Sequence, residues 1–101
     1  MANKTLYGRL TSEVIRSFLN HSKYMVDLDE IQEDIVMNNS DLEHITKKDI
    51  LGTLGRLVEL GYVLHVDRAL YRLSKSAIEQ GINPDDFKNA TIKNLVKEDS
   101  Q

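Results

Sequence analysis

Apolar residues return at helical spacing in four stretches of the chain and alternate in a fifth. Val14, Ile15, Phe18 and Leu19 follow Thr11, a good N-cap, and predict a first helix over 12–22. Tyr24-Met25-Val26 reads as a short extended piece. Asp27, with Glu30 three residues on, makes a capping-box pattern and opens a second helix over 28–37. Leu28, Ile31, Ile35 and Val36 fall on one face of it, while Asp29, Glu30, Glu33 and Asp34 make the rest acidic. Asn38-Asn39-Ser40-Asp41 breaks that helix, and Leu42 and Ile45 are expected to tuck beneath the connection. Thr46 caps a third helix over 47–60, whose buried stripe is Ile50, Leu54, Leu57 and Val58, widened by Leu51 and Leu60. Gly61 ends it, because glycine takes the left-handed conformation at little cost.

Beyond Gly61 the period changes from helical to alternating. Tyr62 to Val66 and Leu70 to Ser74 predict a hairpin around Asp67-Arg68-Ala69. With those three residues as the loop, Val63 pairs with Leu73 and His65 with Tyr71 on the core face; Tyr62, Leu64 and Arg72 face outward. Ser74 caps a short helix through Gln80, stopped by Gly81. Asn83-Pro84 opens a last helix over about residues 85–96, with Phe87, Ala90, Thr91 and Leu95 on its apolar side and Ile92 and Val96 beside it. The order predicts an α+β fold, mostly α: a three-helix core, a β-hairpin and an appended C-terminal helix. Leu54, Leu57, Val58, Val63 and Leu73 are its expected core. Residues 1–10 read as an N-terminal arm, 11–81 as the domain, and 82–101 as the C-terminal helix and tail.

Composition narrows the function. A chain of 101 residues suits one domain, and 41% hydrophobic with 29% charged residues is ordinary for a soluble one. No apolar run approaches the roughly 20 residues that span a bilayer, and no signal-like segment opens the chain, so a cytoplasmic location away from membranes is expected. Cysteine is absent, which excludes disulfides, thiolate metal sites and thiol nucleophiles. His21, His44 and His65 lie far apart without a partner at metal-ligand spacing, and no phosphate-binding glycine loop follows a strand. The reading is a protein that is not an enzyme and holds no cofactor or metal.

Charge changes the picture once it is divided along the chain. The net charge is −3, yet Lys47, Lys48, Arg56, Arg68, Arg72 and Lys75 against Asp49, Glu59 and Asp67 leave residues 46–75 at +3. The positive field therefore sits on the third helix and the hairpin, where phosphates would be met. Lys47, Lys48, Gly52, Thr53 and Arg56 are the candidate DNA-binding residues of that helix. An arginine such as Arg56 can bond a guanine edge bidentately or pair with phosphate. Arg68 at the hairpin tip and Arg72 on its outer face are candidate phosphate or minor-groove contacts, which position a protein more than they specify sequence. Gly52 and Gly55 each cost a helix interior about 1 kcal/mol against alanine, and they leave a smooth patch that another backbone could approach.

From Thr46 to Gln80 the chain resembles the winged helix-turn-helix regulators of bacteria and archaea. The frame Ile50-x-x-x-Leu54-x-x-Leu57-x-x-x-Gly61-Tyr62-Val63 looks like their recognition helix running into the wing. Leu70-Tyr71-Arg72-Leu73-Ser74-Lys75 looks like the second wing strand entering the next helix. Ferric-uptake-type regulators share the helix frame, but their histidine-rich and cysteine metal motifs have no counterpart here. The resemblance implies sequence-specific binding of double-stranded DNA by a transcriptional regulator, often a homodimer. Phe87, Ile92, Leu95 and Val96 on the last helix are the candidate dimer contact, which would set two recognition helices about one DNA turn apart. The acidic balance and short wing point instead to a winged-helix protein-interaction module, an adaptor or inhibitor without DNA.

Overall fold

Residues 2–88 are described by the structure, a computed structural model. In chain order they form α1 (Ala2–Leu19), β1 (Met25–Asp27), α2 (Leu28–Asn38), α3 (Lys47–Leu60), β2 (Val63–Asp67), β3 (Leu70–Leu73) and α4 (Lys75–Gln80). Single 3-10 turns follow α1, α2 and α4, the last of them Pro84–Phe87. The fold is α+β and mostly helical, with one small antiparallel sheet in the order β1-β3-β2. One core unites the layers: Val14, Ile15 and Phe18 from α1, Ile31 and Ile35 from α2, Ile50, Leu54 and Leu57 from α3, and Val26, Val63, Tyr71 and Leu73 from the sheet.

The predicted caps form. Asp27 accepts a hydrogen bond from the Glu30 backbone N–H at 2.9 Å, and Thr46 Oγ1 accepts one from the Asp49 N–H at 3.2 Å. Gly61 ends α3 at φ 91°, where a side chain would be strained. The hairpin register also agrees, with Val63 opposite Leu73 and His65 opposite Tyr71. Its loop is shorter than expected. Asp67 pairs with Leu70, so Val66 is left over as a bulge and the turn is Arg68-Ala69. The extended piece after α1 becomes β1, pairing with β3 through Val26 opposite Tyr71.

A joint at Gly61 and Ser74 fixes the hairpin to the helices. The Ser74 N–H donates to the Tyr62 carbonyl at 2.9 Å, and its hydroxyl donates to the Gly61 carbonyl at 2.7 Å while accepting from the Ala77 N–H at 3.1 Å. One buried serine thus closes the hairpin, satisfies the end of α3 and caps α4.

Other expectations need correction. The first helix begins at Ala2, so the stretch read as an N-terminal arm is largely continuous with it. Thr11 has the chemistry of a cap, but it and Ser12 are buried inside the helix, and packing on this face overrides the local preference. Val58 is only partly buried, because it lies at the margin of the stripe formed by Leu54 and Leu57. Tyr62 is half-buried rather than fully outward. The chain after α4 folds back across α1 and sets Phe87 edge-on to Tyr62, with ring centres 5.0 Å apart. Burial, then the nearby Asp86 carboxylate, raises the Tyr62 phenol above its ordinary range. Gly8 permits this approach, for a Cβ there would stand 1.9 Å from the Lys88 carbonyl oxygen.

Polar ties hold α1 in place. Arg9 bonds the Asp41 carboxylate and donates to Asn39 Oδ1 at 2.9 Å, and this hydrogen bond keeps the Asp41 carboxyl below its usual range. Ser17 Oγ donates to Asp34 Oδ2 at 2.6 Å, and His21 Nε2 lies 2.8 Å from the same oxygen.

Two substitutions test this packing in urea unfolding. Leu54→Ala should cost about 2–5 kcal/mol, as a buried leucine whose removal leaves a cavity. Gly8→Ala should cost about 1–3 kcal/mol by pushing the Pro84–Phe87 turn off α1. An unchanged midpoint for Gly8→Ala would show that this turn is not held against α1.

Candidate nucleic-acid interface

Helix α3 presents one side to the core and the other to solvent. Lys47, Lys48, Leu51, Gly52, Gly55, Arg56 and Glu59 are exposed on it. Capping by Thr46 and Asp49 fixes the first turn, and with it the backbones of Lys47 and Lys48. A Cβ built at Gly52 or Gly55 meets nothing within 4 Å. Packing within the described chain therefore gives no reason for either glycine, and the middle of the face is smooth and open.

The cations differ in what they can offer. Lys48, Arg56 and the Arg68 guanidinium have no ion-pair or hydrogen-bond partner among the described residues. Lys47 is already engaged, its Nζ 2.6 Å from Asp29 Oδ1 in the first turn of α2. Arg72 is half-buried, and its Nη1 donates to the Leu73 carbonyl at 2.9 Å on its own strand. Of the predicted set, Lys47, Lys48, Gly52 and Arg56 share the outer side of α3, Arg68 stands apart at the hairpin tip, and Arg72 is turned back along β3.

Thr53 does not belong to the interface. It is 3% exposed, three residues from Ile50 and four from Leu57 on the buried side, where its hydroxyl donates to the Asp49 carbonyl at 3.3 Å. Nor is Phe87 free for a dimer contact: it is 3% exposed and spent on Tyr62 within the chain. Ile92, Leu95 and Val96, with the rest of the expected last helix, lie outside the described residues. Leu51 is misplaced in the opposite sense to Thr53, being expected in the buried stripe. It is 43% exposed, and its spacing of three from Lys48 and four from Gly55 is the signal that places it on the polar face.

The hairpin is short. The Leu28 N–H donates to the Ala69 carbonyl at 2.8 Å, stitching the turn to the start of α2. His65 is exposed rather than at home in the core, because the strand runs past the helices beneath it. Its ring stacks on Tyr71 at 4.4 Å, and its Nε2 carries a proton donated to the Arg68 carbonyl 2.6 Å away.

Among the described residues, Ser17, Asp34 and His21 form a grouping that invites comparison with a hydrolytic triad. There the imidazole must lie between the serine and the acid so that it can take the hydroxyl proton. Here the Asp34 carboxylate lies between the other two, so the arrangement is a tie between α1 and α2. Among the described residues no group of three or more His, Asp or Glu side chains could hold a metal ion, and no helix is long and apolar enough to cross a membrane.

No family model, curated protein or solved structure matches the chain.

The open glycines yield a prediction of their own. Gly52→Ala and Gly55→Ala should each stabilise the protein by about 0.5–1 kcal/mol, since alanine costs the helix less entropy and has room. Calorimetric unfolding of the single variants and the pair checks it; a loss of stability would mean that the face is covered within the chain.

Proposed function

We propose that this chain is a winged-helix domain that binds double-stranded DNA, with α3 entering the major groove. The observation that carries the reading is the outer side of α3: Lys48 and Arg56, both without partners among the described residues, border Gly52 and Gly55, where a built Cβ meets nothing within 4 Å and the helix backbone lies open. Two glycines in one helix interior work against stability, and a close-fitting ligand gives them a purpose. The order of elements supports the fold assignment, since a helix, a short strand, two helices and a hairpin whose second strand pairs with the first is the winged-helix sequence. Lys48 would meet phosphate, Arg56 a base edge or phosphate, and Arg68 the backbone beside the hairpin.

Specific observations favour a second reading, a winged-helix module that docks on protein. Asp29 occupies Lys47, α2 adds Glu30 and Glu33 nearby in sequence, and the hairpin extends past its last strand pair only by Arg68 and Ala69. An acidic first turn of α2 repels a phosphate backbone, so any DNA footprint should be confined to α3 and the hairpin tip.

Salt-titrated fluorescence anisotropy on random and genomic duplexes separates the two. DNA binding should weaken with salt, and Lys48→Ala and Arg56→Ala should each lower the slope of log affinity against log salt by about one. The Gly52→Ala, Gly55→Ala pair should bind less tightly than wild type despite its greater stability. If the wild type shows no salt-dependent binding at about 50 mM salt, the DNA reading fails and the protein-docking one takes its place.

A further inference from the structure

We propose that Leu51 reads the 5-methyl group of thymine in the major groove, an inference that rests on the DNA reading of α3. A single exposed leucine is ordinary on a protein surface. The surroundings of this one are what matter. Gly52 follows it directly and Gly55 lies one turn above it, both without side chains and both open. Leu51, 43% exposed, is therefore the large apolar side chain beside an open patch, with Lys48 one turn below, Arg56 on the far side of the glycines and Glu59 one turn beyond Gly55. A helix held against phosphates by those cations would bring the leucine methyls to the base edges first.

The chemistry of those edges selects the ligand. In the major groove the base pairs are distinguished by hydrogen-bond donors and acceptors and by the apolar C5 position of the pyrimidine, which is a methyl in thymine and only a hydrogen in cytosine. A leucine offers no hydrogen bond. Set against a guanine or adenine edge it would strip water from polar atoms and return nothing, whereas against a methyl both groups leave water together. Leu51 thus favours thymine and disfavours the polar edges at one position of the site, while Arg56 supplies the complementary polar readout on the other flank.

The test removes the methyl and nothing else. Random duplexes of about two helical turns are enriched on the wild-type protein and then recopied with deoxyuridine triphosphate in place of thymidine triphosphate, so that sequence and pairing are kept. Anisotropy at one fixed salt concentration compares the thymine and uracil versions. The wild type should lose about fourfold in affinity for each methyl it buries. Leu51→Ala, whose fold is checked by circular dichroism, should bind the two versions equally, at about the level of wild type on uracil. Lys48→Ala should weaken both alike and keep the thymine preference. Equal binding of both versions by the wild type overturns the proposal, as does a preference that Leu51→Ala retains, which would trace it to the DNA's shape. In either case salt-dependent binding by the wild type leaves the DNA reading intact. Failure to enrich any duplex removes both.

Discussion

Everything the outer side of α3 can do depends on how its far end is fastened. Gly61 turns the chain by a left-handed residue, and Ser74 closes the turn from the other end of the hairpin with bonds at 2.7 and 2.9 Å to Gly61 and Tyr62. The sheet and α3 are thereby a single rigid corner. Apolar packing of Leu54, Leu57, Val63 and Leu73 supplies most of the cohesion there, but packing alone is tolerant of sliding. The buried hydroxyl is not, because a shift of α3 would leave both it and a helix-end carbonyl unpaired in a dry interior. The direction in which Lys48 and Arg56 point is set by that corner, although neither touches it.

Much of this was legible in the chain. Caps at Asp27, Thr46 and Ser74, the stop at Gly61 and the hairpin register all follow from chemistry between residues close in sequence, and such chemistry survives folding. What was illegible depends on residues far apart. Nothing near Thr11 tells that α1 runs on through it, for the cause is the burial of that face. Nothing near Tyr62 announces Phe87. The extra residue at Val66 reflects strand twist and the stitch from Leu28 to Ala69, neither of which the alternation of side chains encodes. The candidate site was legible in its cations and its glycines, and misread at Thr53 and Leu51. Both errors concern the edge of a helical stripe, where one residue turns the side chain by over a quarter of a circle.

The structure also redraws the charge. Counting residues makes 46–75 cationic, but fewer of those cations can reach a ligand, since Lys47 is paired with Asp29 and Arg72, though still charged, is turned to a carbonyl. On α3 and the hairpin this leaves Lys48, Arg56 and Arg68, with the exposed Glu59 on the same side of α3 and Lys75 beyond the sheet at the start of α4. A field of that extent can steer and hold an anionic partner without the broad basic surface of a protein that binds nucleic acid indiscriminately. Discrimination would then have to come from contact at short range, and the flat centre of the helix allows it.

The bulge at Val66 has a consequence for the sheet as an assembly hazard. In the order β1-β3-β2 the strand β2 is an edge, and it carries a half-exposed valine. A regular edge presents its free N–H and C=O groups at even spacing, the template on which a foreign strand can add and from which aggregates grow. The displaced residue between His65 and Asp67 breaks that spacing, so the stretch of β2 that could accept another strand in register is reduced to its buried beginning. The irregularity that shortens the hairpin loop thus also makes the β2 edge a poor template for a further strand.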